Sequence, residues 1–338
     1  MKIFPRKGDW LSLLLRWAIL LLVGILSLMF FTKMPGSSHS GPFQPLSAYE
    51  QEVCINLKQH ISMLSEKIGE RNIWKYTNLK ASASYIEKGM TELGYEVKKQ
   101  EYEVKDVHVE NLEWELTGEH HPEEIILVGA HYDSVLGSPG ANDNASGVAA
   151  ILEIARLLKT ETLSRTIRFV AFVNEEPPFF QTDKMGSRVY ASRSRQRGEK
   201  IVAMFSLETI GYYSHEKGSQ KYPFPFSFFY PDTGNFIGFV GNVSSRPLVR
   251  EAIEIFRSST AFPSEGIAVP SWIMRIDWSD NWSFCKEGYH AIMITDTALF
   301  RYQYYHSYQD VPDKIDYDHM ARVVVGMSKI IRELSQKY

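Results

Sequence analysis

Hydrophobic and polar positions follow two different periods along this chain, and the change of period predicts both helices and strands. Apolar residues recur every three or four positions from Ser47 to Ile68 and from Leu79 to Leu93, as in amphipathic helices. Residues 95–104, 107–116 and 125–130 instead favour strands. We expect these three segments to be neighbouring strands of one sheet.

The same alternation continues through the rest of the chain. Helices are predicted for residues 145–158, 186–197, 246–256 and 317–334, with a short one after Trp278. Strands are predicted for residues 166–173, 201–207, 236–241 and 291–295, and long loops for 212–230 and 263–278. The connection from residue 130 to residue 166 is long enough for a parallel crossover, so the pattern is typical of an α/β fold.

The amino-terminal part has no such alternation. Residues 11–31 are apolar apart from Arg16, and 21 helical residues span about 31 Å, close to the thickness of a bilayer core. Lys2, Arg6 and Lys7 precede this segment, which predicts an amino terminus in the cytoplasm and the remaining chain outside it. A cleaved signal peptide is the competing interpretation. The expected division is a cytoplasmic segment 1–10, a membrane helix 11–31, a linker 32–46 and a domain 47–338.

The composition of the chain argues against a nucleic-acid partner and against sites that depend on several cysteines. The chain of 338 residues is 44% hydrophobic and carries a net charge of −3, so no basic field indicates a nucleic-acid partner. Its two cysteines, Cys54 and Cys285, are too few for a disulfide framework or a thiolate zinc site. A single bridge between them stays open.

Candidate chemistry begins where the apolar run 125–130 ends. His131 and Asp133 follow it directly, and Asp143 precedes the next predicted helix. Polar groups just past the carboxyl ends of parallel strands line the usual ligand crevice of such sheets, so His131 and Asp143 are candidate metal ligands. Asp133 would hold the second nitrogen of the His131 ring. The plainer alternatives are a turn at His131 and a helix N-cap at Asp143.

Two later strands end in the same way. Glu175 and Glu176 follow the strand at 166–173 and precede two prolines, so the strand cannot continue there. Adjacent carboxylates repel unless a cation lies beside them, although a solvated turn is the alternative. Glu208 ends the strand at 201–207, and His306 lies in a late loop.

Together these residues suit zinc. Two imidazoles and several carboxylates favour two zinc ions over one, with one carboxylate bridging them. One glutamate would remain free as a general base.

Five motifs in this order resemble those of the co-catalytic zinc peptidases, which include secreted bacterial aminopeptidases and, more distantly, glutamate carboxypeptidases and glutaminyl cyclases. They are GAHYDSVLGSPGANDNASG, FVNEEPPFF, SLETIGYY, DWSDNWSF and YYHSYQDVPDKID, and they span most of the region from His131 to His306. The resemblance implies one α/β domain of the zinc peptidase (phosphorylase/hydrolase-like) type, with a mixed, largely parallel sheet flanked by helices. With the orientation predicted above, the domain is expected at the bacterial inner membrane facing the periplasm or at the cell surface, or secreted if the apolar segment is cleaved.

The resemblance further implies a role for each candidate. His131 would bind one zinc ion, Asp143 would bridge both, and Glu176, Glu208 and His306 would complete the set. Glu175 would take the proton from the attacking water, with Asp133 supporting His131. Two positions depart from the family pattern: Glu208 stands where many members have aspartate, and Asn281 where a histidine often follows the Ser-Asp pair.

The function expected is therefore a zinc aminopeptidase that acts on peptides with a free amino terminus. A glutaminyl cyclase with one zinc ion is the first alternative. A non-catalytic ectodomain is the second, and the complete set of ligand positions speaks against it.

Overall fold

The computed structural model describes residues 7–273 and 276–337, which build one eight-stranded sheet covered by helices on both faces. The helices are α1 (Lys7–Thr32), α2 (Ala48–Ser62), α3 (Tyr76–Glu92), α4 (Gly147–Leu158), α5 (Gly186–Gln196), α6 (Arg246–Ser259), α7 (Asn281–Lys286), α8 (Ala298–Arg301) and α9 (Tyr317–Gln336). The strands are β1 (Lys98–Val104), β2 (Val107–Leu116), β3 (His121–His131), β4 (Arg165–Phe172), β5 (Lys200–Glu208), β6 (Ile237–Asn242), β7 (Ser264–Val269) and β8 (Ala291–Thr295). The predicted α/β class with a mixed, mostly parallel sheet is confirmed.

The strand order is β1-β2-β4-β3-β5-β8-β6-β7. Strands β4, β3, β5 and β8 are parallel, as the crossover predicted, whereas β2 and β6 run antiparallel to their central neighbours. The expectation that β1, β2 and β3 are neighbours in one sheet is confirmed for β1 and β2 and wrong for β3, because β4 lies between β2 and β3. Strand β3 is apolar along its whole second half and therefore fits the centre of the sheet, with a parallel strand on each side.

The predicted loop 263–278 is wrong in its first part, where the structure has strand β7. Its sequence SEGIAV pairs with β6 along its whole length, so tertiary pairing outweighs the weak strand propensity of glycine and glutamate. Residues 274 and 275 of that segment lie outside the described residues.

Alternate residues of β3 serve the two faces of the sheet. Ile126 and Val128 belong to the main core under α4 and α9, while Ile125 and Leu127 pack with Tyr190 of α5 on the other side. This double burial explains why the strand is a continuous apolar run. Helix α2 begins at a capping box, in which Ser47 and Glu50 satisfy each other's backbone N–H groups.

Helix α1 contains a segment, Trp10–Thr32, that is long and apolar enough to cross a membrane, and no part of it is buried by the protein. Lys2 and Arg6 of the basic flank lie outside the described residues. The following segment, 33–47, contains no helix or strand but packs on the domain: the Phe43 ring lies 5.6 Å from that of Phe262. Cys54 and Cys285 are both free thiols in the structure.

Candidate metal centre

Two of the candidate side chains are placed by the ends of parallel strands. His131 is the last residue of β3 and Glu208 the last residue of β5, and these two strands are paired in parallel. Their carboxyl ends therefore meet at one edge of the sheet, and both side chains are almost fully buried there. The Nε2 atom of His131 lies 3.2 Å from Oε2 of Glu208.

Glu175 and Glu176 are placed by a turn directly after β4. Asn174, two residues after the end of β4, has φ 58°, a left-handed conformation that asparagine tolerates, and it turns the chain away from the sheet. The two backbone N–H groups that follow donate to the carboxylate of Asp133, from Glu175 at 3.1 Å and from Glu176 at 3.2 Å. Asp133 therefore holds this turn against the end of β3.

Asp143 lies in an irregular turn, Ala141–Ser146, that leads into α4. The N-cap of α4 is Ser146, so Asp143 does not cap that helix. The backbone N–H groups of Asn142 and Asp143 both donate to the carboxylate of Asp310, at 2.8 and 3.0 Å. This clamp fixes the turn from a loop more than 160 residues later in the chain.

His306 comes from that same loop and is the least buried member of the group, with about a third of its side chain exposed. Its backbone is left-handed, with φ 56°, and its ring stacks on that of Tyr305 at 3.9 Å. The exposed imidazole marks the mouth of the site.

The carboxylate of Asp143 stands between the two histidines. Its Oδ1 lies 3.4 Å from Nε2 of His131, and its Oδ2 lies 3.1 Å from Nε2 of His306. Glu208 lies on the His131 side, and Oε2 of Glu176 lies 3.4 Å from Nε2 of His306. The six side chains form three overlapping groups of possible metal ligands, and within each group the ligand atoms lie within 4.8 Å of one another. The groups are His131, Asp143 and Glu208; His131, Glu175 and Glu176; and Asp143, Glu176 and His306.

The electrostatics of the group show an excess of buried negative charge. Burial raises the pKa of Glu175 and of Glu176 well above the ordinary range, and the neighbouring carboxylates, Glu208 for the first and Asp143 for the second, raise each further. Burial alone would lower the pKa of His131, but Glu208 and Glu175 outweigh it and raise the pKa instead. A cation among these groups would relieve this repulsion.

Buried atoms that lack a hydrogen-bond partner also indicate that these side chains bind a metal ion. Within the described part of the chain, Nε2 of His131 and Oδ2 of Asp143 are buried without a hydrogen-bond partner. Buried polar atoms rarely stay unpaired, and imidazole nitrogen and carboxylate oxygen are preferred ligands of zinc.

The other ring nitrogen of His131 faces Asp133, as the sequence suggested. Nδ1 lies 3.3 Å from the main-chain oxygen of Asp133 and 3.5 Å from its Oδ1. Both oxygens favour a proton on Nδ1, which leaves Nε2 free to act as a ligand.

Supporting residues were missed by reasoning from the sequence. Ser279 donates from its hydroxyl to Oε2 of Glu208 at 2.7 Å, and Asp310 clamps the turn of Asp143. Arg71 is fully buried and donates to Tyr132 O at 2.6 Å and Gly140 O at 2.8 Å, so it ties the end of β3 to that same turn. Ser279 and Asp310 lie within the motifs noted above, whereas nothing local marks Arg71.

Comparison with known proteins identifies the family of this chain. A model of peptidase family M28 matches residues 111–331, more than half of the chain. The chain belongs to peptidase family M28. The predicted family and the predicted enzyme class, a zinc metallopeptidase, are confirmed.

This M28 peptidase is 37% identical over 286 residues to the protein YfbL of Escherichia coli, a match that covers 81% of the chain and 86% of YfbL. Six further curated relatives, among them aminopeptidases and zinc metalloproteases, are matched over only 21% to 55% of their length.

Solved structures share the fold. The structure of BSAP, a zinc aminopeptidase from Bacillus subtilis, superimposes with a TM-score of 0.68 at 17% identity, over 84% of this chain and 95% of BSAP. A glutaminyl cyclase from Fimbriiglobus ruber superimposes with a TM-score of 0.63 at 19% identity, over 88% of this chain and 98% of the cyclase. These TM-scores show that the M28 peptidase shares the fold of both structures. Because the sequence identities are below 20%, they do not show which of the two reactions it catalyses.

Proposed function

We propose that this M28 peptidase is an aminopeptidase that uses two zinc ions to remove residues from the free amino termini of peptides. The position of Asp143 carries the proposal, because its two oxygens face two different imidazoles, each accompanied by a further carboxylate. One carboxylate shared between two donor groups is the arrangement that two metal ions need. The aminopeptidases among the curated relatives support the same reaction.

In this proposal the ligands divide into two sets. His131 and Glu208 would hold one zinc ion, Glu176 and His306 would hold the other, and Asp143 would contribute to both. Glu208 stands in for the aspartate that many relatives use, and the hydroxyl of Ser279 orients its longer side chain. Zinc at these positions would supply a water activated for attack and a polarised scissile carbonyl.

Glu175 performs the proton transfer in this scheme. The carbonyl carbon forms a bond with the oxygen of water while Glu175 accepts the proton that the water loses. The carbon–nitrogen bond then breaks, and Glu175 returns the proton to the leaving nitrogen. Glu175 is buried beside the donor groups, where its carboxyl group can hold the proton between the two steps.

Asp133 is a positioning residue in this scheme. Its carboxylate holds the backbone of both Glu175 and Glu176, and its main-chain oxygen orients the ring of His131. Asp133 thus fixes the position of the base Glu175 relative to the two ligands Glu176 and His131.

We further propose that residues 11–31 anchor the protein in a membrane, with segment 1–10 in the cytoplasm and the domain 47–338 outside it. The exposed apolar surface of Trp10–Thr32 supports the anchor, and the basic flank before it supports the orientation.

Two measurements on the full-length protein in detergent test the function. Metal analysis of the active, dialysed protein is expected to give close to two zinc equivalents. A panel of aminoacyl chromogenic amides is expected to be hydrolysed, while peptides that begin with glutamine are not cyclised. One zinc equivalent together with cyclisation of the glutaminyl peptides would instead establish the glutaminyl cyclase reaction.

A further inference from the structure

An apolar pocket opens beside Glu208 and extends across the sheet to its edge strand. Its floor consists of two rows of residues paired across β8, β6 and β7: Thr295, Gly238 and Glu265 in one row, and Met293, Val240 and Ile267 in the other. Residues paired in this way point to the same face of a sheet.

The first row starts at the metal centre. Glu208 pairs with Thr295, so the row runs from Glu208 through Thr295 and Gly238 to Glu265. It crosses three strand spacings, or about 14 Å. A substrate whose amino group and scissile carbonyl lie at the metal centre can extend its first side chain along this row.

The pocket is shaped to take a long, narrow side chain. Gly238 lies in the middle of the floor and carries no side chain, so it leaves that part of the pocket open. The walls are aromatic and include Tyr222, Phe226 and Tyr230. The Tyr222 and Tyr230 rings stack at 5.6 Å near the end that holds Glu265.

Glu265 is the one charged residue, apart from Glu208, among the described residues that line this pocket. Its carboxylate accepts no hydrogen bond from the described residues, and its ion pair with Arg257 spans 3.9 Å. The Arg257 guanidinium is already held by Ser264 O at 2.6 Å and Pro35 O at 2.9 Å. Burial raises the pKa of Glu265 to about 7 despite the attraction of Arg257, as expected for a poorly solvated acid without a close partner.

We propose that Glu265 makes this pocket a subsite for a cationic side chain, lysine or arginine, at the amino terminus of the substrate. The aliphatic stem of such a residue would cover Val240, Ile267 and Met293, and its charged end would meet the carboxylate of Glu265. A purely apolar side chain would leave that carboxylate in the pocket with only the distant Arg257 as a partner. The inference rests on the proposed aminopeptidase function and names its substrate class.

The test compares aminoacyl p-nitroanilides on the full-length protein in detergent. Lysine and norleucine share the same unbranched stem and differ in the terminal ammonium, so their ratio of kcat/KM isolates the effect of the charge. We expect the lysine and arginine amides to exceed the norleucine and leucine amides by about 10- to 100-fold, the range of one hydrogen bond between charged groups.

Glu265→Gln should remove most of that advantage, chiefly through KM, because the lysine amide loses its charged partner while the norleucine amide no longer leaves a buried carboxylate unpaired. Glu254→Gln is the matched control, because Glu254 is exposed on α6. Calorimetry with the free amino acids gives a readout independent of turnover: L-lysine should bind more tightly than L-norleucine to the native protein and lose this preference in Glu265→Gln.

Equal or faster cleavage of the norleucine or leucine amide by the native protein would overturn the assignment. So would a Glu265→Gln variant that loses activity on all amides alike, since that is a structural effect. If no aminoacyl amide is cleaved, the proposed function fails, and calorimetry alone decides whether the pocket selects lysine.

Discussion

At the scale of single residues, the adjacent glutamates Glu175 and Glu176 have different surroundings. Oε2 of Glu176 lies 3.4 Å from the ring of His306, whereas Oε2 of Glu175 lies 3.9 Å from that of His131. Glu176 also accepts a hydrogen bond from the backbone N–H of Val135 at 3.1 Å, which fixes its orientation. These contacts favour a ligand at Glu176 and a mobile proton carrier at Glu175.

The variant Glu175→Gln tests the proton transfer. The amide is nearly isosteric and no metal bond is lost, so zinc content should stay intact. Turnover should fall by about two to four orders of magnitude, or roughly 3 to 5 kcal/mol of barrier, because the base is gone. Metal analysis and kcat on one preparation measure both.

Glu176→Gln serves as the contrast. An amide oxygen binds a dication more weakly than a carboxylate does, so zinc occupancy should fall together with the rate. Loss of zinc from Glu175→Gln with full occupancy in Glu176→Gln would reverse the assignment.

A second residue-scale prediction concerns pH. Burial lowers the pKa of His60 to about 4, and the nearby positive charge of Arg156 adds to the effect. The unfolded chain takes up a proton near the ordinary pKa of about 6.5, whereas the folded chain does so near 4. The contribution of His60 to the free energy of unfolding should therefore be fully present above about pH 6.5. It should fall by about 3 kcal/mol as the pH decreases from about 6.5 to about 4.

Denaturant unfolding at several pH values checks this expectation. His60→Gln should flatten the decline, because glutamine does not titrate there. His120→Gln, at an exposed histidine, is the control and should follow the native curve. An unchanged slope in His60→Gln would assign the decline to other groups.

At the scale of elements, the close approach of α4 to β5 sets the position of the Asp143 turn. A Cβ atom on Gly147 would lie 2.4 Å from the main-chain oxygen of Leu207 and 2.5 Å from Oδ1 of Asn144. That Oδ1 accepts hydrogen bonds from the N–H groups of Gly147 and Thr209, at 3.0 and 3.1 Å. The first turn of α4 therefore cannot move away from the strand without breaking this network.

Gly147→Ala should destabilise the protein by about 1 to 3 kcal/mol, since the added methyl group overpacks against backbone. It should also weaken zinc retention, because Asp143 moves with the turn. Gly89→Ala, in α3 with open space around it, should instead stabilise the fold by about 0.5 to 1 kcal/mol. Thermal unfolding and metal analysis measure the stability and zinc content of the two variants. Equal stability and zinc content would show that α4 and β5 do not pack as closely at Gly147 as the structure has them.

At the scale of the whole molecule, hydrogen bonds as well as the covalent chain connect the apolar helix α1 to the domain. Arg246 and Arg250 of α6 donate to the main-chain oxygens of Phe30 at 2.9 Å and Lys33 at 2.7 Å, at the exit of α1. Phe43 packs its ring at 4.8 Å from that of His319 on α9. The segment predicted as a linker thus lies against the domain.

The orientation across the membrane can be tested with fusions after residue 45. We expect an export-dependent reporter to be active there and a reporter that works only in the cytoplasm to be silent, because of the basic flank before the apolar segment. The reverse pattern would show that the domain faces the cytoplasm.

Local patterns in the sequence determined most of the helices, most of the strands and the six polar residues of the candidate site, Asp143 among them. This was possible because the amphipathic period reports burial directly, and because His131, Glu175 and Glu208 each come directly at or after the end of an apolar strand. Composition alone also predicted that segment 11–31 is a helix long and apolar enough to cross a membrane.

Tertiary structure alone decided which strands are neighbours and which residues support the site. Strand β4 separates β2 from β3, and β7 forms on β6 although its own sequence is a poor strand former. The clamp of Asp310 on the Asp143 turn, the buried Arg71 and the row from Glu208 to Glu265 join residues that are far apart in the chain. Periodicity shows that a side chain is buried, but its partner depends on strand order and register, and these are set by contacts across the whole sheet.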